Sequence, residues 1–306
     1  MTDIPFPTKS PRGVIVPILT PLSDDGRLDE PTFRRLIQRS IGAGVHAIFV
    51  GGSAGMGPML TDAQWHTAVA TALDETSGKI PLLVGIISTS TQRALECIRI
   101  SQGLGCKSIV VTPTFYIALK RDDEVLAHFE ACRGATDQEM IIYNIPSCTS
   151  STISPAVVRA AVEKGWTRAI KESSGDRAYF SQVLALGKEL GISVLQGNEP
   201  DIAWGLQNGA DGIVPVCANC EPWTFVQAYD AAQQGDFARL EQIQRRIDEV
   251  RDTVLVGDHN WISGLFSALT TLGFGNSKPL LPLQPVDATR RKRIEEFFAS
   301  GKEPAA

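Results

Sequence analysis

Nowhere in the chain do apolar residues run for the ~18 positions that a membrane-crossing helix needs, so no transmembrane segment is expected. Residues 1–10 do not pair a charged stretch with an apolar one, which argues against a secretory signal. Histidine is scarce. The four residues at 46, 66, 128 and 259 are far apart, and three lie in or beside expected helices, where structural or exposed roles suit them. Six cysteines (97, 106, 132, 148, 217 and 220) are scattered, as free thiols in a reducing compartment are, and do not read as a disulfide framework. Cys217-Ala218-Asn219-Cys220 is an isolated C-x-x-C with no second pair nearby, so it reads as a core thiol and a helix-start thiol, not a zinc or redox site. No spacing of His, Cys, Asp and Glu suggests a metal, and no cofactor is expected.

Basic charge is also in short supply. The net charge is -5 and the pI is near 5.5, which argues against a nucleic-acid-binding surface. The one dense basic run, Arg290-Arg291-Lys292-Arg293, is followed by Glu295 and Glu296 and reads as the solvated face of a helix. A cytoplasmic protein with neither nucleic-acid nor membrane partners is expected.

Against these absences stands ordinary globular composition: 306 residues, 43% hydrophobic, 21% charged, with mean hydropathy near zero. Short apolar strands alternate with amphipathic helices. Strands are expected at 14–19, 47–50, 81–87, 108–111, 140–143, 167–171, 193–196 and 212–216. The helices after them fall at 30–43, 62–75, 92–103, 122–133, 155–164, 176–190, 200–208 and 222–234. The strands are continuous apolar runs, as in a parallel sheet covered on both faces. Thr61-Asp62, Ser154-Pro155 and Glu221-Pro222 mark helix starts, and Gly103, Gly105, Gly165 and Gly209 mark stops. Eight such units close into an α/β fold of the (β/α)8 (TIM) barrel type over residues 1–235, with a C-terminal helical extension over 236–306. An open doubly wound sheet is the competing architecture, but no dinucleotide fingerprint follows the first strand.

A barrel does its chemistry at the carboxyl ends of its strands. Those ends carry Thr20, Gly51-Gly52-Ser53-Ala54-Gly55, Ser88, Thr112-Pro113-Thr114-Phe115-Tyr116, Tyr143-Asn144-Ile145-Pro146, Lys171, Gln196-Gly197-Asn198-Glu199 and Val216-Cys217. Lys171 ends a short apolar strand, a place where lysine is either solvated or held for chemistry. Partial desolvation lowers the pKa of such an amine and frees its lone pair to attack a carbonyl. One lysine, tyrosines, a glycine-rich turn and several hydroxyls form a set suited to imine chemistry on a small oxo acid.

Four motifs, Gly52-Ser53-Ala54-Gly55, Thr112-Pro113, Tyr143-Asn144-Ile145-Pro146 and Ile170-Lys171-Glu172-Ser173-Ser174-Gly175-Asp176, give the chain a resemblance to the pyruvate-dependent class I aldolases and lyases. That family includes dihydrodipicolinate synthase and N-acetylneuraminate lyase. The resemblance implies that Lys171 forms a Schiff base with pyruvate or a 2-oxo acid and that Tyr143 shuttles protons, with Ser53 relaying to it. It further implies that backbone N–H groups around Ser53 and Ala54 hold the substrate carboxylate. Gly52, Ser173, Gly197, Asn198, Glu199, Ile213 and Cys148 are the implied substrate contacts. A homotetramer is implied, with Tyr116 reaching a neighbouring subunit's site.

The departures bear on substrate. Met56 stands where the family often has glutamate, and Ala54 replaces a second hydroxyl. Phe115 falls where the synthases place their shared tyrosine, with Tyr116 next to it. Cys148 replaces the arginine that grips the second substrate's carboxylate in 4-hydroxy-tetrahydrodipicolinate synthase, an assignment this disfavours. Pro200 and Val216 stand where a sialic acid lyase has further polar contacts. Glu199, Asn198 and Ser173 form a polar rim that suits a polyhydroxylated chain and an aldehyde or sugar-acid substrate, unless Glu199 simply caps the helix that follows it. A 2-oxo sugar acid dehydratase working through the same imine is an alternative, as is a catalytically silent 2-oxo acid binding protein. Gly51–Gly55 also matches the G-x-S-x-G of hydrolases, but its helix starts too late for a nucleophile elbow.

Overall fold

The computed structural model describes residues 10–275 and 278–300. The segment behind the expected absence of a signal, before Ser10, lies outside the described residues, as do the outer ends of the two expected regions. Eight parallel strands pair in chain order and close on themselves: β1 (Gly13–Pro17), β2 (Ala47–Val50), β3 (Leu82–Ile86), β4 (Ser108–Val111), β5 (Glu139–Asn144), β6 (Ala169–Glu172), β7 (Ser193–Gln196) and β8 (Gly212–Ile213). Around them run α1 (Glu30–Gly42), α2 (Asp62–Thr76), α3 (Thr91–Leu104), α4 (Asp122–Gly134), α5 (Pro146–Thr149), α6 (Pro155–Glu163), α7 (Arg177–Leu190), α8 (Ile202–Gln207) and α9 (Pro222–Gln233). The extension is α10 (Phe237–Val254), α11 (Trp261–Thr271) and α12 (Ala288–Ala299). Among the described residues, no helix is long and apolar enough to cross a membrane.

Continuous apolar strands are explained by two separate cores. Val14, Ile48, Ile142 and Ile170 point out to the helices. Ile15, Phe49, Ile141 and Tyr143 point into the barrel. Alternation along each strand therefore serves two apolar layers, and each fully buried large side chain contributes ~1.5–3 kcal/mol. The outer core also takes in Leu240, Ile247, Leu265 and Ile294, so α10–α12 share it with the barrel. Arg246 carries this union further: it pairs with the buried Glu221 and lies 4.6 Å from the Phe297 ring centroid.

Several boundaries move for local reasons. β1 ends at Pro17, earlier than residue 19, because proline has no N–H for the ladder. β8 is only Gly212–Ile213, since Val216–Asn219 winds into a 3-10 turn. At this short seam Asn219 substitutes for strand: its Oδ1 accepts from Leu19 N at 3.0 Å and its Nδ2 donates to Pro17 O at 3.0 Å. Helix α5 and the 3-10 turn Gly57–Met59 were not expected. Residues 199–208 split into a 3-10 turn and α8. Gly103 lies inside α3, and Gly105 in the left-handed region caps it. Thr61 and Ser154 cap α2 and α6 through their side chains. Glu221 does not cap α9, because its carboxylate is engaged by Arg246 and Thr224. Arg290 departs from the solvated face expected of its run and reaches back to the Asp252 and Val256 carbonyls.

Candidate active site

Parallel register places the two central residues side by side. Tyr143 pairs with Lys171, Asn144 with Glu172, and Lys171 with Leu195. Neighbouring strands in register share their facing, so Tyr143 and Lys171 both point into the barrel near its carboxyl end. Lys171 is 5% exposed, and its Nζ lies 4.0 Å from the centroid of the Tyr143 ring and 5.2 Å from that of Phe49. Burial pulls the amine pKa down to about 7; the Glu199 carboxylate and the Cys148 side chain act weakly in the opposite direction. A lysine of this kind is largely neutral, and so nucleophilic, in mildly alkaline solution.

Burial pushes the Tyr143 phenol well above its ordinary pKa, opposed by the Ser173 and Ser53 hydroxyls facing it. Tyr143 is thus a protonated donor at neutral pH. Ser173 Oγ itself is buried and makes no fully formed hydrogen bond among the described residues. Gly197 leaves room for both side chains: a Cβ on it would lie 2.0 Å from Ser173 Oγ and 3.0 Å from Lys171 Cε.

The glycine-rich turn folds flat against the strand ends. Gly51 adopts φ +69, and its carbonyl lies where a Cβ of Gly57 or of Gly85 would come within 1.9 and 2.3 Å. Ala54 is buried and Ser53 half-buried, and among the described residues neither backbone N–H donates a hydrogen bond. Two adjacent free donors suit an oxyanion. Gly52 rests on Phe49. Met56, in the glutamate position, is buried in a left-handed conformation, with Sδ 3.3 Å from Leu280 N.

The other expected contacts divide. Glu199 is buried, and its Oε1 accepts from Val216 N at 2.6 Å and Cys217 N at 3.3 Å. It therefore caps the turn after β8, not the helix that follows it. Burial raises its pKa, while those backbone donors and the lysine charge hold it down. Cys148 is exposed on α5, close enough to act on both Lys171 and Tyr143. Asn198 turns away from the expected rim, its Nδ2 donating to Asp201 at 2.5 Å. Ile213 packs its side chain among the outer helices, because its strand parity faces it outward; only its backbone reaches the site end. Tyr116 stands 88% exposed at φ 75, next to a half-buried Phe115 that packs on the inner core.

Residues without an assigned role in the sequence also matter here. Phe49 floors the lysine; its inward parity on a four-residue strand was the available signal. Asn144 bridges two loops, donating to Glu172 Oε1 at 3.1 Å and accepting from Ile153 N at 2.9 Å. Glu172 Oε1 also takes Ser174 N at 2.7 Å, which fixes the loop that carries Ser173. Cys217 and Cys220 are buried free thiols. His128 is buried, bridging the Thr112 carbonyl and the Thr91 hydroxyl, and burial lowers its pKa to about 4.

Known proteins share this architecture. The model of the dihydrodipicolinate synthetase family matches residues 10–300. A 4-hydroxy-tetrahydrodipicolinate synthase from an Exiguobacterium species is 31% identical, over 92% of this chain and 95% of its own. An uncharacterised DapA-like lyase from Halobacterium salinarum is 29% identical, over 94% and 93%. The crystal structure of the dihydrodipicolinate synthase from Bacteroides thetaiotaomicron superposes with a TM-score of 0.89 at 28% identity, covering 94% of this chain and 98% of that one. On these grounds the chain belongs to the dihydrodipicolinate synthetase family, a family of lyases.

Proposed function

We propose that this protein is a Schiff-base lyase that makes or breaks a C–C bond next to the carbonyl of pyruvate or a 2-oxo sugar acid. The observation that carries the reading is the Lys171 amine, buried beside Tyr143 and shifted to a pKa of about 7. The neutral amine attacks the C2 carbonyl, a N–C bond forms, and the former carbonyl oxygen leaves as water, giving an iminium. Loss of a C3 proton turns the iminium into an enamine. The enamine carbon adds to an aldehyde, whose oxygen takes its proton from Tyr143, and water then releases Lys171. Cleavage runs the same steps backwards. The free N–H groups of Ser53 and Ala54 hold the substrate carboxylate, Gly52 shapes that turn, and Ser53 relays protons to Tyr143.

The acceptor is best read as an uncharged, hydroxylated aldehyde. Cys148 at the mouth offers no bidentate partner for a second carboxylate, and the neighbouring Glu199 carboxyl supplies no cation for one either. Ser173 and the second oxygen of Glu199 are the groups left to meet hydroxyls. Dehydration of a 2-oxo sugar acid uses the same iminium and remains the second reading. The exposed Tyr116 supports assembly as a homotetramer in which this ring enters a neighbour's site.

Borohydride trapping with pyruvate, read by intact and peptide mass spectrometry, is the test. An adduct on Lys171 supports the reading. No adduct with pyruvate or with any 2-oxo acid, or an adduct on another lysine, overturns it. Sugar-derived aldehydes are then screened against aspartate semialdehyde-type acceptors.

A further inference from the structure

The charge on Lys171 has few partners. Among the described residues no carboxylate forms an ion pair with Nζ and no side-chain hydrogen bond acts on the amine. What lies against it instead is aromatic: the Tyr143 ring at 4.0 Å and the Phe49 ring at 5.2 Å, the two rings meeting edge-to-face with centroids 6.4 Å apart. Phe49 is 1% exposed and locked in place from both sides, by the inner core beneath it and by Gly52, where a Cβ would fall 2.8 Å from the ring. We propose that Phe49 is a positioning residue for the imine chemistry, its ring face balancing the positive charge of the lysine nitrogen, first as ammonium and then as iminium. This role goes beyond the proposed function and rests on it for the iminium step only.

The physical basis is the aromatic quadrupole. A cation over a ring face is attracted to it, more strongly where water is excluded, whereas a neutral nitrogen gains little. Ammonium and iminium place their charge on the same nitrogen, so one ring serves both states. The neutral carbinolamine and enamine are not favoured in this way. Phe49 thus raises the proportion of cationic species along the path, including the iminium from which the C3 proton is lost. The Tyr143 ring acts on the same charge from 4.0 Å, but it also carries the proton-transferring hydroxyl, so Phe49 is the ring whose face can be altered without touching proton transfer. The other ionisable groups facing Lys171 are Glu199, from the turn after β7, Cys148, from α5, and Tyr143 itself; Glu172 follows it on β6. β2 presents only the ring of Phe49.

The test compares wild type, Phe49→Leu and protein carrying 3,4,5-trifluorophenylalanine at position 49. The fluorinated ring keeps the shape of phenylalanine but drains its face of negative potential, and it remains informative if the leucine variant misfolds. Two readouts are taken across pH: reductive methylation of Lys171 by formaldehyde and borohydride, which needs no substrate, and pyruvate C3–H exchange into deuterated water. With the weakened face, the methylation limb is expected to move to lower pH by about half to one unit. Exchange is expected to lose about three- to tenfold in kcat with KM for pyruvate little changed. A methylation limb that stays in place or moves upward in the fluorinated protein overturns the proposal, since packing alone is unaltered there. If wild type exchanges no pyruvate protons, the proposed function fails while the methylation limb still decides whether Phe49 holds the charge.

Discussion

A Cβ built on Gly197 would stand 3.0 Å from Lys171 Cε and 3.0 Å from the Glu172 carbonyl, so the first residue after β7 sets the space in which the lysine chain lies. Any side chain at this position would first have to displace Ser173 Oγ, 2.0 Å from the built Cβ, and would press on the lysine chain and the end of β6. Gly197→Ala is expected to leave the barrel folded, with unchanged far-ultraviolet circular dichroism. The rate of imine trapping should drop by about a hundredfold, as displaced reacting groups typically do. Trapping at the wild-type rate would show that the lysine chain tolerates the methyl group.

The depressed pKa of Lys171 links activity to stability. Its folded value of about 7 lies below the usual 10.5, so the unfolded chain binds the proton more readily. The cost to stability is therefore fully present below pH 7, shrinks as pH rises between 7 and 10.5, and is gone above that window. Lys171→Met, with a side chain of similar length and no charge, is expected to abolish turnover yet stabilise the fold by about 2–4 kcal/mol at pH 7. Denaturant unfolding of both proteins at pH 7 and pH 9.5 checks the sign: the gap should narrow at the higher pH. Wild-type imine formation should in turn rise with pH through a limb near 7, as the amine is freed.

Burial holds the Tyr143 phenol protonated, and the role proposed for it is to give and retake a proton. Tyr143→Phe keeps the ring against the lysine and removes only the hydroxyl. Turnover should fall by about 10²–10⁴-fold, the usual scale for a lost general acid or base. Lys171 should still be methylated, which separates proton transfer from nucleophilicity. A variant with near wild-type turnover would move the shuttle to another group, with Ser53 the first to examine.

Much of this site could be read in the sequence because strand ends are local features. The apolar run before Lys171, the glycines of the turn and Tyr143 each signal their place within a few residues, and counting strands closes the barrel. Facing was harder to read. Phe49 and Ile213 are both apolar residues on short strands, and only the register shows that the first enters the barrel and the second leaves it. The partners of Glu199 and Asn198 could not be read from the sequence, because they come from far along the chain or from a local turn: Val216 for one, Asp201 for the other. A sequence pattern carries polarity and period, whereas the choice of a hydrogen-bond partner belongs to tertiary structure.

The same reasoning applies at the seam that closes the barrel. β1 meets β8 through only two register pairs, Gly13 with Gly212 and Val14 with Ile213. Beyond them Asn219, 2% exposed, gives β1 an acceptor at Leu19 N and a donor at Pro17 O, and its Nδ2 also reaches Val216 O at 2.9 Å. One amide side chain thus stands in for a further stretch of β8. Asn219→Ala leaves a buried N–H without its acceptor and a buried carbonyl without its donor, at about 1–3 kcal/mol for each unpaired group. Asn219→Asp keeps the acceptor but loses the donor and buries a carboxylate, so it should not rescue the fold. Urea unfolding should show both variants destabilised by at least about 2 kcal/mol. Because Glu199 is anchored to the same turn through Val216 and Cys217, hydrogen exchange at those two amides should rise along with the loss of stability. Unchanged protection there, with stability lost, would mean that the turn holds its shape through Glu199 alone and that Asn219 acts only on β1.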